Sequence, residues 1–232
     1  MTMWASLSSW WSALVHRPAV APVPPSRRWL VVDVESSGLN PLRDQLLAIA
    51  AVGVHFDEEF RHPCIELGDA FEVLIRPSAG EGQAADKANI LIHRIGVGAQ
   101  RSAREAGDAL QAWSAFAGDA PLVAYHSAFD QAMMDRAMKA AFGRPLPNPW
   151  LDLEPVAALV HQDPRYRPLD HWLDRHHIGC LIRHQAAADA LATAELMLAL
   201  WPAVRSRVNG QFASVADWAQ SHRFMPGRLG SR

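Results

Sequence analysis

The sequence is short of cysteine, of surplus positive charge and of long apolar runs, and each shortage bears on the class of protein. Two cysteines, Cys64 and Cys180, do not make a disulfide framework, so we expect buried thiols and a reducing, cytoplasmic compartment. A formal net charge of −2 lacks the surplus of Lys and Arg usual in a large non-specific nucleic-acid binder, but a nuclease with a local cleft need not show that surplus, so the charge favours neither class. Since no apolar run reaches the roughly 18 residues of a membrane span, no membrane partner is expected.

What the sequence does contain indicates one globular α/β domain. Half of the 232 residues are hydrophobic and a fifth are charged, which excludes disorder as the dominant state. The composition predicts a Trp-rich segment with a Pro-rich linker at 1–28, the domain at 29–206 and a tail at 207–232. Apolar patterning predicts strands at 29–34, 46–56, 71–75, 121–125 and 150–153, a loop at 78–89, and helices that include 105–116, 128–142 and 186–204. Three strands followed by alternating helix and strand predict one mixed sheet flanked by helices.

A pair of carboxylates, Asp33 and Glu35, is predicted at the end of the first strand. Alternate residues of a strand share a face, so these side chains would lie about 7 Å apart along it. Their repulsion is costly unless a cation lies between them. In the alternative interpretation, Glu35 already belongs to a loop and only Asp33 is near the core. The next four residues predict a tight turn whose amides and hydroxyls could face a substrate phosphate or sugar: Ser36, Ser37, Gly38 and Leu39.

A third carboxylate, Asp130, is predicted where the fourth strand gives way to a helix. This position lies at the carboxyl edge of the sheet, where α/β proteins usually place their chemistry. The structural alternative is a capping box, because Ser127 precedes Asp130 by three residues.

His184 and Asp189 lie at the start of the last long helix. Helix positions five apart differ by about 140°, so the two side chains share a site only if His184 lies on the preceding loop. The alanines around Asp189 favour a helix face with close neighbours. The alternative is a solvated histidine beside an exposed aspartate.

Taken together and in order, these motifs resemble the DEDDh exonuclease superfamily, which includes the proofreading epsilon subunit of bacterial DNA polymerase III. In that family an Asp-x-Glu pair ends the first strand, a Phe-Asp pair opens the helix after the fourth strand, and a His-x4-Asp signature lies near the last core helix. The matching residues are Asp33 and Glu35, Phe129 and Asp130, and His184 and Asp189. Asp152 matches a place where the family often has Asp-Thr. The resemblance covers about residues 29–201 and implies a ribonuclease H-like fold, with a three-strand antiparallel meander joined to parallel strands.

The resemblance also implies an activity and its site residues. It implies a 3′→5′ exonuclease that hydrolyses phosphodiester bonds at single-stranded DNA ends and releases nucleoside 5′-monophosphates, in proofreading or repair. Two Mg²⁺ or Mn²⁺ ions would be held by hard oxygen ligands, with His184 as the general base. The implied metal ligands are Asp33, Glu35, Asp130 and Asp189. The implied substrate contacts are Ser36, Ser37, Gly38, Leu39, His93 and Phe129, and arginines that could reach phosphates are Arg94, Arg165, Arg167 and Arg183.

The chain departs from the family pattern at three places. Ser36 and Ser37 replace the commoner threonines but keep the hydroxyls. Tyr125 and His126 stand where the family often has His-Asn. Arg94 replaces the glycine of a His-Gly-Ile motif, which puts the local loop shape in doubt.

Three other functions are considered beside the DNA exonuclease. An RNA or oligoribonucleotide 3′→5′ exonuclease would differ only in contacts near the 2′-hydroxyl. A non-catalytic subunit that binds a DNA polymerase through the N-terminal segment or the tail would not need the five motif residues. A metal phosphohydrolase built on Asp-x-Asp is disfavoured because the second aspartate is missing.

Overall fold

The structure, a computed structural model, describes residues 27–77, 95 and 97–226. The predictions for the N-terminal segment up to residue 26, for the loop at 78–89, and for His93 and Arg94 lie outside these residues.

A five-stranded mixed sheet forms the centre of the fold. The strands are β1 (Arg28–Ser36), β2 (Leu46–His55), β3 (Cys64–Leu74), β4 (Leu122–Ala124) and β5 (Trp150–Asp152). Their order is β3-β2-β1-β4-β5, with antiparallel pairing from β1 to β3 and parallel pairing of β1 with β4 and β4 with β5. The predicted α/β fold, with a meander joined to parallel strands, is confirmed. β1 lies in the middle of the sheet, so its residues are covered on both faces.

Helices cover the two faces of the sheet. They are α1 (Val97–Ser102), α2 (Ala106–Ala117), α3 (Ala128–Phe142), α4 (Leu153–His161), α5 (Leu169–Arg175), α6 (Ala186–Arg205) and α7 (Phe212–Gln220), followed by a 3₁₀ turn (Ser221–Phe224). On β1, Trp29 and Val31 pack into a cluster with α4, α5, α6 and α7, whereas Leu30 and Val32 pack into a second cluster with α2 and α3. Odd-numbered β1 residues therefore face α6. Because side chains alternate along a strand, Asp33 and Glu35 are expected on this face as well.

β3 is longer than the sequence predicted, because the prediction started it at residue 71 and the strand starts at Cys64. β3 is an edge strand, so its first half is polar and exposed and does not show the apolar pattern of a core strand. For the same reason the expectation that both cysteines are buried is wrong for Cys64, which is exposed. Asp69 on this strand accepts two hydrogen bonds from Arg28 and lies 2.7 Å from the ring of His55, which fastens the edge to β1 and β2.

The apolar helix α6 is a core element. By length and mean composition it could cross a membrane, although charged residues interrupt its apolar run, and 56% of its most apolar window is buried inside the protein, against β1 and β2. Near its C-terminal end, Nε1 of Trp201 donates a hydrogen bond to the carbonyl of Phe60. In the region predicted as a tail, α7 buries Val215 and Ala219 in the same cluster.

Candidate active site

The side-chain alternation along β1 brings two carboxylates to the start of α6. Asp33 and Glu35 follow Trp29 and Val31 on the face that α6 covers, and both belong to β1. Oxygen atoms of Asp33, Glu35 and Asp189 all lie within 4.8 Å of one another. The interpretation that placed Glu35 in a loop is therefore wrong. We call these three residues the acidic cluster.

Asp130 lies beside the acidic cluster and is bonded to β1. The last pair between β1 and β4 is Val31 with Val123, so Val34 lies beyond the strand pairing. The backbone N–H of Val34 donates to Oδ1 of Asp130, at 3.2 Å. Asp130 is only 6% exposed. Ser127 has helical φ and ψ of −51° and −20°, rather than the extended angles of an N-cap. The capping-box interpretation of Asp130 is therefore wrong.

The loop before α6 brings His184 to the same cleft. His184 is exposed and has φ of +61°, while Asp189 is 4% exposed on the first turn of α6. The backbone N–H of His184 donates to Oδ2 of Asp189 at 2.9 Å. Because Asp189 is buried, the alternative is wrong for the aspartate, whereas the solvated histidine that it expected agrees with the exposure of His184.

The turn after β1 uses its hydroxyls internally. Ser36 Oγ donates to the carbonyl of Gly38, and Ser37 Oγ accepts from the backbone N–H of Gln45. A Cβ at Gly38 would lie 2.4 Å from Oδ2 of Asp44, so any other residue would force that carboxylate to move. Leu39 is 90% exposed at the tip of this turn.

Phe129, on the first turn of α3, is half-buried and packs against the β1, α2 and α3 cluster. Part of its ring is therefore a core contact, and the remainder is accessible to a substrate.

Burial and mutual repulsion raise the pKa values of these carboxyl groups. Burial is the largest cause of the raised Asp33 pKa, followed by the negative charges of Asp130, Glu35 and Asp189. Burial also raises the pKa of Glu35 to about 8, and Asp189 and Asp130 add to it. The pKa of Asp130 rises to about 8, again chiefly through burial. Carboxylate oxygens gathered this closely suit a hard divalent cation, whose charge would offset the repulsion.

Arg183 is a residue of the site whose contacts sequence reasoning did not foresee. Its Nη1 donates to Oδ1 of Asp189, and its Nε donates to Oδ1 of Asp170 on α5 at 2.5 Å. Sγ of Cys180 also lies 3.4 Å from Oδ1 of Asp189. With His184 N on the other oxygen, both oxygens of Asp189 have protein donors. A cation bound by Asp189 must therefore compete with the guanidinium of Arg183. The signal in the sequence that Arg183 belongs to the site was its position next to His184.

The other arginines predicted to contact phosphates have different partners. Arg165 and Arg167 both donate to the carboxylate of Asp163, whereas Arg94 lies outside the described residues. Among the three described arginines, only Arg183 reaches the acidic cluster.

Asp152 organises the neighbouring edge of the sheet. Its Oδ1 accepts from the backbone N–H groups of His126 and Glu154, so it joins the β4–α3 turn to the start of α4. Burial raises its pKa, and its charge contributes to the raised pKa of Asp130.

Comparison with known proteins identifies the class to which this fold and site belong. Residues 30–197 match the sequence model of the RNase_T family, described as exonuclease, and the chain belongs to that family. Solved structures with the same fold include exonuclease I of E. coli in complex with a dT13 oligonucleotide, at a TM-score of 0.60 and 18% identity over 78% of this chain and 43% of that chain. Exonuclease X in complex with 5′ overhanging duplex DNA has a TM-score of 0.60 and 16% identity, over 82% and 99% of the two chains.

Curated relatives come from bacterial DNA polymerase III. A DNA polymerase III subunit epsilon-like protein of Rhodobacter capsulatus is 29% identical over 87% of this chain and 27% of its own length. A PolC-type DNA polymerase III of Latilactobacillus sakei is 27% identical over 75% of this chain and 11% of its own length. The chain thus spans about a quarter or less of these relatives.

The first prediction concerns stability without metal. The folded-state pKa of Glu35, about 8, exceeds its ordinary value of 4.5, so the native state binds more protons than the unfolded state between these values and loses stability as pH rises. In EDTA, the wild-type melting temperature should therefore fall relative to that of Glu35→Gln between pH 5 and pH 8, by about 4 °C. Subtracting the melting temperatures of the two proteins at each pH removes the contribution of the histidines, which titrate in both. A difference that does not change with pH would contradict the prediction.

The second prediction concerns Arg183 as a competing cation. Arg183→Met removes the guanidinium from Asp189, so the metal-free protein should bind Mn²⁺ about 3- to 10-fold more tightly, as measured by calorimetry. Arg165→Met is the matched control, because Arg165 pairs with Asp163 instead, and should leave the affinity unchanged. An unchanged or weaker affinity in Arg183→Met would show that the guanidinium does not compete.

Proposed function

We propose that the protein is a metal-dependent 3′→5′ exonuclease that hydrolyses the terminal phosphodiester bond of single-stranded DNA. The observation that carries this proposal is the convergence of the oxygens of Asp33, Glu35 and Asp189 within 4.8 Å, in a chain of the exonuclease family. The donor set fits Mg²⁺ or Mn²⁺, because all three ligands are hard carboxylate oxygens. Asp130 is the fourth proposed ligand, since it borders the cluster and lies close enough to raise the pKa of Asp33.

The protein side chains divide into those that hold cations and one that moves a proton. Two divalent cations held by the carboxylates would supply Lewis-acid chemistry, for the attacking water and for the leaving 3′ oxygen. His184 is the proposed general base, because its imidazole is exposed on the loop that enters α6 and its backbone N–H bonds Asp189 of the acidic cluster. Attack by the water oxygen would form a new P–O bond and break the bond between phosphorus and the leaving 3′ oxygen. His184 would release the proton it accepts from water to solvent, and the 3′ oxygen would take a proton from solvent, so the products would be a nucleoside 5′-monophosphate and a shortened strand with a 3′-hydroxyl.

The surroundings of the cluster favour an unpaired 3′ end. Leu39 is exposed four residues after Glu35, and Phe129, next to Asp130 in the sequence, is partly exposed. Their apolar surface suits base faces rather than a duplex backbone. Solved structures of the same fold include exonuclease I with an oligonucleotide and exonuclease X with a 5′ overhanging duplex. We propose DNA as the substrate on this basis, with RNA as the alternative outcome of the test.

A polymerase partner is proposed only as a context for this activity. Relatives named as DNA polymerase III proteins are several times longer than the region they share with this chain. A proofreading or repair role in association with a polymerase would agree with those names.

The third prediction tests the activity directly. Single-stranded DNA and RNA labelled at the 5′ end should shorten stepwise in Mg²⁺ or Mn²⁺, but not in EDTA, with DNA degraded faster. Asp33→Asn keeps the side-chain shape but removes a charged ligand, so the rate should fall by roughly 1000-fold.

Asp217→Asn is the matched control, because this aspartate is exposed on α7 and should leave the rate unchanged. Equal rates for Asp33→Asn and the wild type would contradict the proposed site. Faster degradation of RNA than of DNA would retain the site and overturn the proposed substrate.

A further inference from the structure

An exposed aromatic pair lies beside the acidic cluster, on the neighbouring strand end. Tyr166 is 67% exposed, and its ring lies nearly parallel to that of His126, at 4.5 Å between centroids and 10° between planes. The Tyr166 hydroxyl is 3.0 Å from Nδ1 of His126, within hydrogen-bond distance. One face of the tyrosine is therefore covered by imidazole, and its exposure comes from the remainder of the ring.

The imidazole under Tyr166 is held in place by the backbone. His126 has φ of +60°, an uncommon conformation for a non-glycine residue, and its N–H donates to Oδ1 of Asp152 at 2.9 Å. Since Asp152 also bonds the first turn of α4, the ring position is coupled to two elements. A contact made to such a fixed ring loses little side-chain entropy.

The chain on both sides of Tyr166 is also fixed. Asp163 accepts hydrogen bonds from the side chains of Arg165 and Arg167. The hydroxyl of Tyr125 donates to the carbonyl of Arg167 at 2.6 Å. The tyrosine thus projects from a bonded segment, although an exposed aromatic ring is not needed for the packing of that segment.

The pair is continuous with the candidate active site. His126 lies two residues after β4 and belongs to the turn that leads into α3, where Asp130 contacts β1. The aromatic pair and the acidic cluster therefore lie along the same carboxyl edge of the sheet. Arg165 and Arg167, on either side of Tyr166, both form ion pairs with Asp163. The main feature that this surface presents to a substrate is therefore an aromatic ring rather than a positive charge.

We propose that Tyr166, supported by His126, is a stacking platform for one unpaired nucleobase of the substrate strand, internal to the 3′-terminal nucleotide. This proposal rests on the proposed exonuclease function. Every base presents a π face, so the contact would be tolerant of sequence. A base within a duplex already has stacked neighbours, so the platform selects an unpaired strand. It would hold the strand while the terminal phosphodiester lies at the acidic cluster.

The fourth prediction compares a long substrate with one that lacks an internal base. Stacking of one base contributes about 1–3 kcal/mol, which corresponds to roughly a 5- to 150-fold change. For Tyr166→Ala, the ratio of kcat/KM on a single-stranded oligonucleotide to kcat/KM on the p-nitrophenyl ester of thymidine 5′-monophosphate should fall by at least about 5-fold, through a higher KM for the oligonucleotide. Tyr166→Phe keeps the ring and should retain most of the ratio.

Phe224→Ala is the matched control, because this aromatic residue is 74% exposed and lies in the 3₁₀ turn after α7. Its ratio should equal that of the wild type. A Tyr166→Ala ratio equal to that of the wild type would overturn the platform.

A binding measurement separates failure of the platform from failure of the proposed function. Oligonucleotides with 2-aminopurine at successive positions from the 3′ end, bound in Ca²⁺, should show quenched fluorescence at one internal position with the wild type and with Tyr166→Phe, but not with Tyr166→Ala. A wild type that shortens no strand would contradict the proposed function, whereas the quenching would still support the platform. Equal quenching by wild type and Tyr166→Ala at every position would overturn the platform and leave the exonuclease proposal standing.

Discussion

Electrostatic repulsion among the partly buried carboxylates at the end of β1 and the buried Asp189 is the constraint on which the rest of the site depends. Asp33, Glu35 and Asp189 lie within 4.8 Å of one another, and burial and repulsion together raise the pKa of Glu35 to about 8. Among the residues that the structure describes, only Arg183 brings positive charge to this cluster. A site arranged in this way gains most when a divalent cation binds, since the cation replaces repulsion by attraction.

The fold supplies this arrangement through the position of β1 in the sheet. β1 is central and covered on both faces, so its side-chain alternation directs Asp33 and Glu35 to α6 while Val34 between them enters the second cluster. The short β4 leaves the Val34 N–H for Asp130, which brings a further carboxylate to the same edge. The family match over residues 30–197 agrees with this arrangement, and the similar solved structures share the fold.

The sequence predicted those parts of the fold that repeat a local pattern. β1, β2 and α3 have strong apolar periodicity, and the structure gives them within about two residues of the predicted bounds. The start of β3 was missed because an edge strand can be polar on its open side. The contacts of Arg183 with Asp170 and Asp189, and of Tyr166 with His126, join residues from different elements, so local sequence patterns do not predict them. The one signal for Arg183 was its position next to His184. The roles assigned to the motif residues and the predicted domain boundaries stay predictions.

The most direct test of the central claim is a crystal structure of the protein soaked in Mn²⁺, with anomalous diffraction recorded near the manganese edge. We expect an anomalous peak coordinated by oxygens of Asp33, Glu35 and Asp189, with the Arg183 guanidinium displaced from Asp189. A map with no peak at these carboxylates, and with Arg183 still bonded to Asp189, would contradict the claim that this cluster is built to hold a divalent cation.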